Sequence, residues 1–452
     1  MKFYNREKEL KLIHEYILIT QRKGSRILVI SGRRRIGKTR LVIEGVKNYP
    51  HLYLFVRKKR LNELIQEWST EIRKTFGNIF YGNFSTFEEL MTFLFEYSRS
   101  NPFALIFDEV QNLQYSRSSE FATIQKVFDL YKNSSKILLL FTGSSYLLME
   151  KIFTDSKEPL FGRASEIIHL SYFTIETQEE ILHEHKLYSS ENLLHLFSIF
   201  DGIPKYIEEL TDIDLPTLKE RIKVIITSRE FIWDEGENIL KEEFGKDYAS
   251  YFSIVSAIAK GRRKLSDIEQ FTGILDAGAY LKKLEKTYKI IERKLPVTSK
   301  SIKERKGRYY LIDNFFAFWF RFIEAKKMLK EIGKVDLAFQ EIWKDLKQYE
   351  GRKLEDMFIR TMIEKNPLEL SFNRIGKYWD RKGKIEIDTV ILDDLNKIAY
   401  LFEVKINKNK ITANILKSLK NKGEDIPELK NYKIKTGFSY LCSAGLVSKV
   451  LE

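Results

Sequence analysis

The sequence predicts an α/β fold organised around a parallel sheet, and three observations carry that prediction. Five short apolar runs, at 27–31, 52–56, 104–107, 137–141 and 166–170, alternate with helical stretches. Short runs apolar on both faces suit strands covered by helices on both sides, and their alternation with helices suits parallel connections. A glycine-bounded segment, Gly32 to Thr39, follows the first run, and an Asp-Glu pair ends the third.

The chain has 452 residues, more than the roughly 250–300 that one core supports, so several domains are expected. A composition of 43% apolar and 13% aromatic residues excludes a disordered chain. The single cysteine, Cys442, excludes a disulfide framework and a cysteine-built zinc site. No apolar run reaches the roughly 18 residues of a membrane span, so no membrane partner is expected. The N-terminus carries Lys2, Arg6, Glu7, Lys8 and Glu9 and lacks a signal-peptide core, so a cytoplasmic protein is expected. The net charge is +14, and it is uneven. Residues 1–240 are neutral, with 33 basic and 33 acidic side chains, whereas residues 251–330 hold 19 basic and 8 acidic ones. A basic middle suggests a polyanion partner, most simply DNA; the plainer reading is a lysine-rich surface.

In order along the chain, residues 7–20 read as an amphipathic helix, with Leu10, Ile13, Ile17 and Leu18 on one side. Gly32-Arg33-Arg34-Arg35-Ile36-Gly37-Lys38-Thr39 then fits G-x-x-x-x-G-K-[ST] between a strand and a helix that begins near Lys38, with Arg40 next. That context marks a P-loop: backbone N–H groups cradle phosphates, Lys38 pairs with the β/γ-phosphates, and Thr39 ligates Mg²⁺. Asp108 would hold the metal through water, and Glu109 would orient or deprotonate the attacking water. Thr142 and Ser144, ending the fourth run, either touch that water or the γ-phosphate or simply form a turn. Arg163 is a γ-phosphate sensor, an arginine finger or an ion-paired surface residue.

These pieces resemble the archaeal AAA+/STAND-type ATPases of the ASCE class that carry a C-terminal restriction-endonuclease-like domain. The resemblance covers nearly the whole chain. It rests on residues 3–10 (Phe-Tyr-Asn-Arg-Glu-Lys-Glu-Leu), the P-loop, Asp108-Glu109-Val110-Gln111, Thr142-Gly143-Ser144-Ser145 and Leu160-Phe161-Gly162-Arg163. It implies adenine contacts near Arg6 and Glu7, and ATP rather than GTP; no Asn-Lys-x-Asp follows the P-loop. Asp201-Gly202-Ile203-Pro204 resembles the GxP motif of the helical lid in that group, which would bring Pro204 to the nucleotide; an ordinary interhelical turn is the alternative.

Four domains are expected: a P-loop domain at 1–172, a helical lid at 173–247, a winged helix at 248–330 and a restriction-endonuclease-like α/β domain at 331–452. The winged-helix expectation rests on three short helical patterns, the third capped by Asp276, and two strand-like pieces at 289–294 and 308–312. Lys282, Lys283 and Lys286, with Tyr280, face solvent on the third helix, and Lys300, Lys303, Arg305, Lys306 and Arg308 form a basic wing. Such a domain grips DNA phosphates or serves as a hinge. The aromatic run from Phe315 to Phe322 reads as core.

In the last part, residues 385–392 alternate as a strand and 398–404 return after a turn. A turn centred between Leu395 and Asn396 sets Asp388 opposite Glu403, with Lys405 on the same face. With Glu355 from the preceding helix, this is the D…E-x-K pattern of restriction-endonuclease-like nucleases. Asp388 and Glu403 would hold Mg²⁺, Lys405 would activate water and Glu355 would assist. The expected function is therefore a Mg²⁺-dependent ATPase coupling ATP turnover to DNA binding, with the nuclease-like sheet either cleaving DNA or serving only in binding or regulation. The alternative is a STAND-like switch acting through protein partners or self-association with an inactive nuclease-like sheet.

Overall fold

The computed structural model describes residues 2–77, 83–116, 119–301, 304, 306–443 and 445–451. They form two compact units, residues 2–172 and residues 173–452.

In the first unit, β1 (Arg26–Gly32), β2 (His51–Phe55), β3 (Phe103–Asp108), β4 (Ile137–Gly143) and β5 (Glu166–Leu170) form one sheet in the order β2-β3-β4-β1-β5. Every pairing is parallel. Alternate residues along each strand feed opposite layers, as strand geometry requires. Ile27, Val29, Leu105, Phe107, Leu139 and Phe141 join a cluster with Trp68, Phe87 and Leu94. Leu28, Ile30, Ala104, Ile106, Leu138 and Leu140 join Ile13, Leu41 and Val42 on the other face. Burial of both faces is why these segments read as continuous apolar runs rather than as alternation. Because all five strands run the same way, the ends of β1, β3 and β4 meet at one edge of the sheet.

The second unit begins with helices Ile175–Glu184, Ser190–Phe200, Pro204–Thr211, Leu218–Ser228 and Phe231–Phe244. Thr217 starts one of them with a full capping box to Glu220. Three more helices follow, Tyr248–Ala259, Leu265–Thr272 and Ala277–Lys286, and then an antiparallel hairpin of β6 (Ile291–Lys294) and β7 (Arg308–Leu311). Asp276 does not cap its helix through its side chain. Its backbone lies at φ −121°, ψ 54°, whereas the capping Thr174 and Ser189 are extended, at ψ 165° and 157°. Tyr280 is half-buried with its ring edge-on to Tyr251, so it departs from the expected solvent face. The expected aromatic core is observed: Phe315, Phe316, Phe318, Trp319, Phe320 and Phe322 are buried.

The helix Val335–Glu364 leads to a mixed sheet of β8 (Arg374–Trp379), β9 (Glu386–Asp393), β10 (Ile398–Lys405), β11 (Lys433–Cys442) and β12 (Gly445–Leu451), in the order β12-β11-β10-β9-β8. Only β10 and β11 pair in parallel. The helix Ala413–Glu424 makes that crossover. The sequence pattern misses β8 and β12, whose mostly half-buried residues lack a clean apolar period.

The three parts expected after residue 172 lie in one compact unit and are fastened to one another. Trp319 donates its indole N–H to the Ile232 carbonyl at 2.7 Å and packs so closely on Gly236 that a Cβ there would lie 2.4 Å from the ring. The Asn314 side chain donates to the Phe197 carbonyl at 2.9 Å. The hairpin is fastened to the C-terminal sheet. Val297 N–H donates to the Lys377 carbonyl at 3.0 Å, and the Trp379 indole donates to the Lys306 carbonyl at 2.8 Å.

Candidate functional site

The P-loop turns directly off β1, the second strand from the β5 edge. Gly37, at φ 89°, occupies left-handed backbone that favours glycine. A Cβ at Gly32 would stand 2.9 Å from the Leu170 carbonyl of the neighbouring strand. Ile36 anchors the loop in the core, Arg33 and Arg35 are half-buried, and Arg34 and Arg40 are exposed. Lys38 is buried, and its ammonium donates to the Gly32 and Arg33 carbonyls, both at 3.0 Å.

Parallel strands bring the predicted acidic residues to the same edge. Asp108, only 3% exposed, is a hub for hydroxyls. Its Oδ2 accepts from Thr39 and from Tyr53, each at 2.7 Å, and its Oδ1 accepts from Thr142. Burial, and then the bond to Asp108, pushes the Tyr53 phenol well up, so it remains a donor. Glu109 sits at φ 58°, a left-handed conformation that costs a non-glycine residue energy. Its Oε2 accepts from Ser144 Oγ at 2.7 Å and from the Gln111 amide. The two hydroxyls at the end of β4 thus hold the two carboxylates at the end of β3, one each. The Thr39 hydroxyl and the Asp108 carboxylate are hard oxygen donors in contact, a set that suits Mg²⁺.

Arg6 is buried, and its guanidinium donates to the Ser171 carbonyl at 2.5 Å, just past β5 on the P-loop edge. Burial lowers its pKa against the opposing pull of Glu9, 3.5 Å away. Glu7 is exposed. Tyr53, Gln111 and His169 escaped sequence reasoning. His169 Nδ1 lies 2.6 Å from Ser31 Oγ, beside the loop. Tyr53 and His169 sit on β2 and β5, the two edge strands, which flank β3 and β1 in an order that sequence does not reveal; Gln111 lies in the segment after the Asp-Glu pair.

Arg163 lies away from the nucleotide edge. Its guanidinium is held by Asp129, at 2.7 and 3.1 Å, and by the Pro159 carbonyl at 2.8 Å. Asp129 precedes β4 and Arg163 precedes β5, so both lie at the edge of the sheet where strands begin. The length of β1, roughly 20 Å at about 3.3 Å per residue, separates that edge from the P-loop. Of the three roles, the ion-paired residue is the one observed within this chain.

In the second unit, Gly202 is required by packing: a Cβ would meet the Phe173 carbonyl at 2.3 Å. Asp201, buried at φ 56°, binds Arg360 at 2.7 Å and accepts from the Asn314 N–H at 3.0 Å. Pro204 starts the next helix at its first turn.

The predicted carboxylate constellation also assembles. The β9–β10 ladder pairs Asp393 with Ile398 through Thr389 with Phe402, so the next position sets Asp388 opposite Glu403. Lys405 Nζ lies 2.6 Å from Glu403 and 3.2 Å from Asp388, and Asp388 also accepts from the Val404 N–H at 3.0 Å. Glu355 is pushed up to about 7, chiefly by burial and partly by Asp388, against the opposing pull of Lys377. It binds Lys377 at 2.8 Å rather than joining Lys405. Asp388 and Glu403 supply oxygen donors that fit a divalent cation, with the Lys405 ammonium now between them. Among the described residues no group of three or more His, Cys, Asp or Glu side chains is arranged for a metal.

Of the basic residues expected to grip DNA, Lys282, Lys283, Lys286 and Lys300 are exposed. Two wing residues are engaged within the unit instead. Lys306 faces Glu428 at 3.3 Å, and Arg308 binds Glu386 at 2.8 Å while stacking over Trp379 at 4.7 Å. Lys303 and Arg305 lie outside the described residues.

Residues 3–210 match the model of an ATPase domain found predominantly in Archaea. Residues 319–417 match a model of archaeal and bacterial proteins of unknown function. An uncharacterized protein of Methanocaldococcus jannaschii, MJECL04, is 31% identical over 408 residues, covering 89% of this chain and 87% of that protein. Among solved structures, the Walker-type ATPase PABY2304 of Pyrococcus abyssi is similar, with a TM-score of 0.51 and 19% identity over 71% of this chain and 96% of the other. The ORC2 protein of Aeropyrum pernix, in ADPNP–ADP complexes, gives a TM-score of 0.47 at 13% identity, over 72% and 95% of the two chains. No helix among the described residues is long and apolar enough to cross a membrane. The chain belongs to the family of that Methanocaldococcus protein, and its N-terminal half is an archaeal P-loop ATPase domain.

Proposed function

We propose that the protein is a Mg²⁺-dependent ATPase that couples ATP binding and hydrolysis to DNA binding, with a nuclease-like centre in its C-terminal sheet. The observation that carries the ATPase half is the meeting of Lys38, Thr39, Asp108, Glu109, Thr142 and Ser144 at one edge of a parallel sheet. Lys38 and the N-terminus of the helix Lys38–Val46 hold the phosphates. Thr39 and Asp108 would hold Mg²⁺, which supplies charge neutralisation on the β- and γ-phosphates. Glu109, positioned by Ser144 and Gln111, orients the attacking water and takes its proton. Arg6 would lie near the adenine.

DNA binding rests on residues 248–330, read as a winged helix, and on the exposed Lys282, Lys283 and Lys286 of its third helix. The engaged wing shifts the expected contact onto that helix. Asp388, Glu403, Lys405 and Glu355 would cleave a phosphodiester, with Asp388 and Glu403 holding the metal, Lys405 directing water and Glu355 assisting.

A second reading is favoured by one observation: Lys405 bridges Asp388 and Glu403, and Glu355 is turned to Lys377. Under it, ATP controls a switch that acts through protein partners, and the sheet is a scaffold. ATP turnover with and without DNA separates the two. Lys38→Ala is expected to abolish turnover, and DNA is expected to stimulate the wild type. Wild-type turnover in Lys38→Ala removes the catalytic assignment; no DNA effect favours the switch.

A further inference from the structure

A cavity of about 620 Å³ opens within the second unit, walled by the helix Val335–Glu364, the β6–β7 hairpin and strands β8 and β9. It is rich in charge, and most of that charge is internally paired. Arg360 binds Asp201 at 2.7 Å, Lys377 binds Glu355 and Asp356 at 2.8 and 2.9 Å, Lys294 binds Glu292 at 2.9 Å, and Arg308 binds Glu386 at 2.8 Å.

Three half-buried cations in the same wall are left over: Arg263, Arg321 and Lys353. Among the described residues none of them has a carboxylate within 4.0 Å. The Lys353 ammonium donates to the Asn314 carbonyl oxygen at 2.7 Å, and burial lowers it to about 8 against the more distant pull of Asp356 and Asp201. The Arg321 Nε is buried with no hydrogen-bond partner, and its guanidinium sits 5.8 Å from the Tyr349 ring. Arg263 lies over the Tyr310 ring at 4.3 Å. A half-buried cation without a direct ion pair is costly, and three such side chains facing one cavity favour an anion arriving from outside. The carboxylates that would repel such an anion are largely neutralised by the pairs above. The half-buried Tyr310 adds an aromatic ring to the wall, and the volume falls within the range of roughly 300–1,000 Å³ typical of ligand sites.

We infer that this cavity binds a nucleoside phosphate, supplied as a free nucleotide or as the 5′-phosphorylated terminal nucleotide of a DNA strand, with Arg263, Arg321 and Lys353 as the phosphate-binding groups. The inference deepens the nuclease-like reading, on which it rests in part because Glu355 and Asp388 also line this cavity, but binding itself requires neither ATP hydrolysis nor DNA cleavage.

The test uses the full chain carrying Lys38→Ala, which removes phosphate binding by the P-loop, in EDTA. The probes are thymidine, thymidine 5′-monophosphate and a 5′-phosphorylated thymidine dinucleotide, titrated by calorimetry. Both phosphorylated probes should bind and thymidine should not. Adding Arg321→Gln or Lys353→Gln should weaken binding about 10-fold, the loss of one charge-assisted hydrogen bond. Equal affinities for the two phosphorylated probes identify a free nucleotide as the source; a tighter dinucleotide identifies a DNA end. No binding at about millimolar probe, or affinity unchanged by both substitutions, overturns the inference. A measurement without those substitutions guards against misfolding: acetylation of Lys353, read by mass spectrometry, should slow when the dinucleotide is present. Unchanged labelling would also overturn it. ATP turnover in the Lys353→Gln chain with Lys38 intact should match wild type, so failure here is distinguishable from failure of the ATPase reading.

Discussion

Asp108 and Glu109 are adjacent, yet they are held for different work. Asp108 is buried and receives three hydroxyls, whereas Glu109 occupies left-handed backbone and is steadied by Ser144 and Gln111. Glu109→Gln should therefore keep ATP binding while slowing hydrolysis by about 10²–10⁴-fold, as removal of a general base does; single-turnover assays beside nucleotide titrations check this. Lys353 makes a prediction about pH. Its value in the folded chain is about 8, below the roughly 10.4 of an unfolded lysine. Between those values the unfolded chain binds the extra proton, so this residue makes stability rise with pH across the window. Lys353→Met should flatten that rise, visible as the difference between the Tm-versus-pH curves of variant and wild type.

The P-loop, the Asp-Glu pair and the β9–β10 hairpin were legible because each lies within one local pattern. The turn Asp393-Asp394-Leu395-Asn396 alone sets the register that brings Asp388 opposite Glu403. Arg163 was not legible, since its partner Asp129 and its distance from the P-loop follow from strand direction in the assembled sheet. Nor were Lys306 and Arg308, whose partners Glu428 and Glu386 are distant in sequence. Two predictions belong to these elements. If the β9–β10 pair cuts DNA, Asp388→Ala should abolish Mg²⁺-dependent nicking of plasmid; nicking that persists comes from elsewhere. Gly202→Ala forces a Cβ against a backbone carbonyl, and overpacking of that kind should cost about 1–3 kcal/mol in chemical denaturation.

For the whole molecule, the uneven charge now has an address. The neutral N-terminal half carries the nucleotide edge, and the basic stretch 251–330 divides between exposed helix lysines and side chains spent inside the second unit. DNA affinity should fall steeply with salt. A Lys282→Glu, Lys283→Glu double variant should reduce the slope of log K against log salt by roughly one per lost phosphate contact. Arg308→Gln should leave that slope unchanged, because the guanidinium is committed to Glu386 and Trp379. Filter binding across a salt series separates the two. The fastening of Val297 onto Lys377 has a separate consequence. Terminal strands offer unpaired amides and carbonyls, a template on which further chains can stack. The segment after β6 lies along β8 and occupies part of that template, so in the C-terminal sheet the side of β8 is shielded against stacking, and the opposite terminal strand, β12, is where accidental growth of the sheet would have to begin.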